Sequence, residues 1–174
     1  MRFVDCTQER HAAAILDILN HAIVTSTALY DYEPRPPESM GPWFEVKRQR
    51  DFPVIGAEDE HGTLLGFASY GPFRAWPAYK YTVENGVYVH CDHRGKGLGR
   101  ALMQELVGRA RAQGYHVIVA GIDRENAASI ALHTSLGFEP CGVVWHAGFK
   151  FGRWLDLAFY ELLLEGSPRE PRDG

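Results

Sequence analysis

The sequence predicts an α/β fold, one mixed β-sheet covered by helices. Three observations carry that reading. Helical and strand-like hydrophobic periods alternate along the chain, glycine or proline marks most changes of period, and 174 residues suit one domain with a single core. That domain is expected over residues 1–166, followed by a frayed tail from Ser167 to Gly174.

Phe3-Val4 open the chain as a short strand, and Thr7 to about Val24 follow as a helix with Ala14, Ile15, Ile18, Leu19 and Ala22 on one face and Thr7 placed to cap it. A loop rich in hydroxyls and prolines leads to a second helix, Glu38 to Arg50, which the interior Gly41-Pro42 weakens. Val54 to Ala57 and Leu64 to Tyr70 read as an antiparallel hairpin across Glu58-Asp59-Glu60-His61-Gly62. After a loop from Gly71 to Pro77, a strand runs from about Tyr81 to Val89. A helix then carries Leu98, Ala101, Leu102, Leu106 and Ala110 at helical spacing and stops at Gln113-Gly114. Val117-Ile118-Val119 form a further strand and Asn126 to Leu136 a helix that ends at Gly137. Gly142 to Trp145 and Leu155 to Leu163 are the last two strands.

Composition excludes several classes. Eighteen Lys and Arg against 22 Asp and Glu give a net charge of -4, so no general basic field is present to hold nucleic acid or an anionic membrane. Any anionic ligand needs a local basic site. Cys6, Cys91 and Cys141 are odd in number and form no C-x-x-C pair, which argues against a disulfide framework and a structural zinc site. With no signal-like h-region and no long apolar run, a soluble cytoplasmic protein is expected.

The most informative stretch is Val87-Tyr88-Val89-His90-Cys91-Asp92-His93-Arg94-Gly95-Lys96-Gly97-Leu98-Gly99-Arg100, a strand running into a glycine turn and then a helix. Such a turn aims consecutive backbone N–H groups at one anion, with the helix dipole, Arg94, Lys96 and Arg100 adding positive potential. A pyrophosphate fits that description. The spacing is neither the G-x-G-x-x-G dinucleotide fingerprint nor a P-loop, which demotes hydride transfer and nucleotide hydrolysis.

Here the chain resembles the GCN5-related N-acetyltransferases, whose Arg/Gln-x-x-Gly-x-Gly/Ala signature is met by Arg94-Gly95-Lys96-Gly97-Leu98-Gly99. The resemblance continues in Asn126 to Phe138, similar to the family's Asn-containing helix ending in Leu-Gly-Phe. It implies a mostly antiparallel central sheet flanked by helices on both faces, and acetyl-CoA as co-substrate with no metal. The coenzyme would be bound by Val87, Tyr88, Val89, the loop from Arg94 to Arg100, Asn126 and Ser129. Within the family, Tyr79 to Val89 and Gly148 to Asp156 resemble the phosphinothricin and methionine sulfoximine acetyltransferase branch. That narrower resemblance implies an α-amino group of a small amino-acid-like compound as acceptor, attacked directly in a ternary complex, and a homodimer built on the aromatic segment Trp145 to Tyr160. His133 stands where many members of the broader family carry a tyrosine.

Acetyl transfer to an amine needs a base, support for an oxyanion and a proton for the departing thiolate. Glu84 is the candidate base, on one strand face with Thr82, Gly86 and Tyr88; its alternative is a structural ion pair. The backbone N–H around Tyr88 is the candidate oxyanion donor, and His133 and Tyr88 are candidate acids with core packing as their alternatives. For the acceptor, Arg74 offers a guanidinium to a carboxylate or phosphinate, Trp76 and Tyr79 offer aromatic walls, and Asn85 lies beside Glu84. Cys91 as an acyl-accepting nucleophile is disfavoured because no histidine and acid can be assigned to it. His90, Cys91, Asp92 and His93 are read as loop polarity and not a metal site, since neighbours on an extended strand point to opposite faces. Two readings stand beside the leading one: acetylation of a polyamine, aminoglycoside or protein N-terminus, and an acyl-CoA-binding sensor without turnover.

Overall fold

The computed structural model describes residues 1–166 and 171–172. Its elements run β1 (Arg2–Asp5), α1 (Gln8–Thr25), α2 (Met40–Gln49), β2 (Val54–Glu58), β3 (Leu64–Pro72), β4 (Thr82–Val89), α3 (Leu98–Ala112), β5 (Val117–Asp123), α4 (Ala127–Thr134), β6 (Glu139–Lys150) and β7 (Arg153–Leu163). Short 3-10 turns occupy Pro37–Ser39, Pro77–Tyr79 and Cys91–His93. The strands form a seven-stranded sheet in the order β1-β2-β3-β4-β5-β7-β6. β4 and β5 are parallel, joined through α3 as a parallel pair requires, while β1–β2, β2–β3, β5–β7 and β6–β7 are antiparallel. The mixed, mostly antiparallel sheet expected from the sequence is therefore present. Among the described residues no helix is long and apolar enough to cross a membrane.

Backbone proximity groups the chain into two interleaved units, residues 1–70 with 86–106 and residues 71–85 with 107–174. In the first unit, the α1 stripe of Ile15, Ile18, Leu19 and Ala22 is buried as its period requires. Met40 and Phe44 of α2 and Val54, Leu64 and Phe67 of the hairpin complete the same cluster. Trp43 sets its edge against Phe67 at 6.2 Å, and Tyr88 packs on the same ring at 5.3 Å. The dipeptide Gly41-Pro42 does not break α2. The helix begins at Met40 after a 3-10 turn, so both residues fall in the first helical turn, where backbone N–H groups have no intrahelical acceptor and proline's missing donor costs nothing.

Two expectations are corrected here. Strand β3 runs past Tyr70 through Gly71-Pro72, residues of the second unit that the sequence places in a loop. Thr7 occupies the cap position of α1 without a side-chain cap bond; its backbone N–H instead donates to Nδ1 of His11 at 2.9 Å. That bond leaves the His11 proton on Nε2, which donates to Oε1 of Glu58 at 3.0 Å. Glu58 is a wholly buried carboxylate. It also accepts from Arg2 Nε at 3.1 Å, Arg2 Nη2 at 2.7 Å and Arg10 Nη2 at 3.1 Å, so the strand end of β2 is tied to β1 and α1.

The second unit is built on β5, β7 and β6 with α4. β5 lies antiparallel to β7 from Val117↔Leu163 to Asp123↔Leu157, and its first residues pair in parallel with Thr82, Val83 and Glu84. The expected strand Gly142 to Trp145 is the middle of the longer β6, whose register slips at Pro140/Gly142 and Val144/Gly148. The sequence concealed this because His146 takes a left-handed φ of 52°, which breaks the alternation that identifies a strand. Of the expected frayed tail, Ser167–Glu170 and Asp173–Gly174 lie outside the described residues; the N–H of Arg172 donates to the Tyr81 hydroxyl at 3.0 Å.

The His11 hydrogen bond, followed by those of Arg2, holds Glu58 below its ordinary carboxyl value of 4.5. A depressed folded-state pKa means this contribution is present above pH 4.5 and is lost as pH falls through the folded value. Glu58→Gln keeps the shape and removes the charge. Urea unfolding near neutral pH should show a loss of about 1–3 kcal/mol, with a shallower acid dependence than wild type below pH ~4.5.

Candidate active site

Strand β4 carries candidate residues in both units: Glu84 and Asn85 at the end of its portion in the second, and Val87, Tyr88 and Val89 in its portion in the first. In the first unit the strand leads through the Cys91–His93 turn into the glycine loop. Gly95 and Gly97 have φ of 74° and 78°, the left-handed region that residues with a Cβ rarely adopt, and a Cβ built on either meets nothing within 4 Å. The loop is thus an open backbone cradle. Gly97 O accepts the first helical bond, from Ala101 N at 3.1 Å, so the amino end of the 15-residue α3 rises directly from the cradle. Arg94, Lys96 and Arg100 are exposed, with Arg94 Nε on Val89 O at 3.2 Å and Lys96 Nζ on Asp92 O at 3.1 Å. An open loop backbone, the amino end of a helix and three exposed cations are the features that suit an anion such as a pyrophosphate.

Tyr88 is half-buried and folds back over Gly86, where a Cβ would stand 3.0 Å from its ring. Its backbone lies close to β3 as well. A Cβ on Gly66 would meet Tyr88 O at 2.8 Å and Val89 Cα at 3.2 Å, so glycine alone permits β3 and β4 to approach as they do.

In the second unit, Glu84 is half-buried and its carboxylate lies over Gly121 of β5: a Cβ there would stand 3.0 Å from Oε1. Burial pushes the Glu84 carboxyl above its ordinary 4.5, and the positive charge of Arg74 partly offsets that rise. Arg74 is held by its own loop. Nη1 donates to Phe73 O at 2.7 Å and the guanidinium sits 4.2 Å from the centre of the Phe73 ring, which is itself set edge-on to Tyr79 at 5.6 Å and Phe159 at 6.4 Å. Trp76 is 68% exposed.

Asn126 caps α4, its Oδ1 accepting from Ser129 N at 3.1 Å. The turn before it is fixed by Asp123, which accepts from Glu125 N at 3.1 Å and from Arg153 Nη2 at 3.1 Å. In the last turn of α4, His133 is buried, and its Nδ1 lies 2.8 Å from Ser129 O. A carbonyl oxygen can only accept, which puts the proton on Nδ1; Nε2 is then the acceptor for Asn85 Nδ2 at 3.0 Å. Burial lowers the His133 pKa, against the raising effect of the Ser129 carbonyl. This is a neutral ring with both nitrogens engaged, and its contact with Asn85 joins two residues that sequence spacing does not connect.

The sequence model of the Acetyltransferase (GNAT) family matches residues 16–138, most of the chain and all of the loop and Asn126 segments just described. The chain belongs to the GNAT acetyltransferase family. A curated L-methionine sulfoximine/L-methionine sulfone acetyltransferase of Salmonella typhimurium is 44% identical over 165 residues, 95% of this chain and 94% of that protein. A solved structure from Acinetobacter baylyi is 60% identical with a TM-score of 0.97, covering 99% of this chain and 96% of the other. A phosphinothricin acetyltransferase of Sinorhizobium meliloti, solved in complex with acetyl-CoA, is 36% identical with a TM-score of 0.92, covering 99% and 94%.

In this GNAT chain three site features escaped the sequence reading. Gly121 in β5 and the Asn85–His133 pair are defined by neighbours distant in sequence, and Phe73, next to Arg74 in the chain, is itself set against the distant Phe159. The premise used against a metal at His90 to His93 also fails, because this segment is a 3-10 turn and not extended strand. His90, Cys91 and Asp92 bring their ligand atoms within 4.8 Å of one another, and Cys91 is exposed rather than a buried small hydrophobe.

Gly121→Val tests whether the position of Glu84 matters to turnover. The displaced group is the far end of a flexible side chain, so circular dichroism and acetyl-CoA affinity should be preserved while kcat falls at least about 10-fold, the scale of a misplaced reacting group. An unchanged kcat would show that the carboxylate's position over β5 is irrelevant to the chemistry.

Proposed function

We propose that this GNAT chain is a single cytoplasmic domain, residues 1–166, that transfers acetyl from acetyl-CoA to the α-amino group of a small amino-acid-like acceptor of the methionine sulfoximine or phosphinothricin type. The observation that carries the reading is Glu84, a half-buried carboxylate whose pKa burial raises, beside the charge of Arg74. A raised pKa makes it a better proton acceptor than an ordinary carboxylate, and Arg74 keeps the ionised form populated. The activities of the Salmonella typhimurium and Sinorhizobium meliloti relatives support the acceptor class.

Acetyl-CoA supplies the activated acyl group. The Gly95–Gly97 cradle, with Arg94, Lys96, Leu98, Gly99 and Arg100, holds its pyrophosphate through backbone N–H groups and positive charge. Val87 and Val89 offer strand backbone to the pantetheine arm, and Asn126, whose Oδ1 is engaged in capping, has its amide Nδ2 to donate near Ser129. Glu84 takes a proton from the acceptor ammonium, directly or through one water, and the freed amine attacks the thioester within a ternary complex. The Tyr88 N–H supports the oxyanion. Neutral His133 is assigned to orienting Asn85 toward the acceptor, which leaves the Tyr88 hydroxyl as the candidate proton donor to the thiolate. Arg74 binds the acceptor's anionic group, with Trp76 and Tyr79 beside its aliphatic stem. The exposed aromatics of the β6–β7 hairpin, Trp145, Phe149, Phe151 and Trp154, support a homodimer, which light scattering at micromolar concentration reads directly; a monomer there would reject it.

Thiol release measured with a panel of amino acids, methionine sulfoximine, phosphinothricin, polyamines and aminoglycosides tests the reading. Anionic amino-acid analogues should be turned over and polycations should not; a chain that binds acetyl-CoA but releases no thiol with any acceptor is a sensor. Wild-type rate should fall as pH drops through the raised Glu84 value, since the protonated carboxyl cannot act as base. Glu84→Gln should lower the rate roughly 100-fold or more at neutral pH and recover in part as rising pH deprotonates the free amine. Arg74→Ala should raise KM for the anionic acceptors roughly 10- to 100-fold, corresponding to about 1.5–3 kcal/mol, with KM for acetyl-CoA unchanged. Equal losses on anionic and uncharged acceptors would make Arg74 a support for its loop.

A further inference from the structure

We propose that His90, Cys91 and Asp92 form a binding site for a divalent cation of the zinc type on the turn that precedes the glycine loop. The donors are an imidazole, a thiol and a carboxylate, a mixed N, S and O set that suits a borderline-soft ion such as Zn²⁺ or Co²⁺ and not Mg²⁺ or Ca²⁺. Their geometry is close to what such an ion requires. Cys91 Sγ lies 3.8 Å from His90 Nδ1 and 3.6 Å from Asp92 Oδ1, the other carboxylate oxygen, Oδ2, lies 3.8 Å from His90 Nδ1, and one ligand atom from each residue falls within 4.8 Å of the others. Bond lengths of about 2.0 Å to N or O and 2.3 Å to S at a tetrahedral angle place ligand atoms about 3.3–3.6 Å apart, so rotation of the exposed Asp92 and Cys91 side chains has to bring one carboxylate oxygen toward both partners.

The tautomer also favours coordination. His90 Nδ1 accepts a long hydrogen bond, 3.3 Å, from Asp92 N, so the nitrogen nearest the thiol and carboxylate is the unprotonated one, and a bound ion takes its lone pair in place of that long bond. The backbone beneath the three side chains is held from several sides. His90 N donates to Leu65 O of β3 at 2.9 Å, His93 N donates to His90 O at 2.9 Å, and Lys96 Nζ donates to Asp92 O at 3.1 Å. The ligands therefore converge before any ion arrives, which reduces the entropy lost on binding.

On binding, the Cys91 S–H bond breaks, its proton goes to solvent, and the thiolate's electron pair forms the metal–sulfur bond; the metal is neither oxidised nor reduced. Thiolate and carboxylate together neutralise the dication, which is needed with the Arg94 and Lys96 charges close by. Cys91 and Asp92 are exposed, so water completes the coordination, and the ring of His93, centred 5.6 Å from that of His90, flanks the site.

The test is calorimetric titration of the reduced chain with ZnCl₂ in two buffers of different ionisation enthalpy, paired with Co²⁺ titration followed by its thiolate charge-transfer absorption. One ion per chain, about one proton released per ion, and a cobalt–thiolate band are expected. Cys91→Ser should abolish the band, and Cys91→Ser and His90→Ala should each weaken Zn²⁺ binding at least about 10-fold, with Cys141→Ser unchanged and circular dichroism constant throughout. Absence of binding, a Zn²⁺ affinity that Cys91→Ser leaves at the wild-type value, or a band that disappears with Cys141→Ser would each overturn the proposal.

Discussion

The carbonyl of Tyr88 lies 2.8 Å from where a Cβ of residue 66 would be, and that approach of β3 to β4 fixes the place of Tyr88 and Val89 in the first unit. A strand held this closely cannot slide along its neighbour without a clash. Tyr88 is anchored by the approach and by its contact with Phe67, and four residues earlier the same strand delivers Glu84 into its parallel register with Val119. Six residues after the end of the strand, the backbone enters the left-handed conformation of Gly95 and then that of Gly97. Position along β4 thus sets the order in which an acid-base group, backbone donors and an anion cradle follow one another.

Two glutamates show how surroundings decide what one side chain does. Glu58 is wholly buried, yet three basic neighbours donate hydrogen bonds to it and its pKa falls; it fastens strands and helix together. Glu84 is less buried, but burial dominates over the single offsetting charge of Arg74 and its pKa rises. A carboxylate already saturated by donors has little capacity to accept a further proton. One that is desolvated with little compensation is suited to taking one. Histidine follows the same logic: His133, with Nδ1 on Ser129 O and Nε2 on Asn85, has its hydrogen-bonding capacity filled, so its contribution is orientation.

Legibility in the sequence depended on the range of the interactions. α1, α3 and the β2–β3 hairpin follow from local periodicity and turn chemistry, including Asp59, whose Oδ1 accepts from His61 N and Thr63 N at 2.9 Å each, and Gly62 with φ of 82°. The second helix was weakened on paper by Gly41-Pro42, because propensity takes no account of where a helix begins. β6 was cut short for the opposite reason, since a bulge around His146 interrupts the two-residue period that marks a strand. At His90 to His93, assuming an extended backbone scattered side chains that a 3-10 turn gathers.

By itself the sequence determined the glycine loop and the strand that carries the candidate base, because each depends on residue type and short spacing. Glycine tolerates positive φ wherever it stands, whereas the cap that Asn126 makes on Ser129 N became visible only in the structure. Only the tertiary structure decided that Gly121 leaves room for the Glu84 carboxylate, that Phe73 supports Arg74, and that His133 meets Asn85 and not solvent. The physical reason is that pKa, tautomer and orientation are set by desolvation and by partners brought close in space. Glu84 and Gly121 lie 37 positions apart and Asn85 and His133 lie 48 apart, beyond the reach of any local pattern.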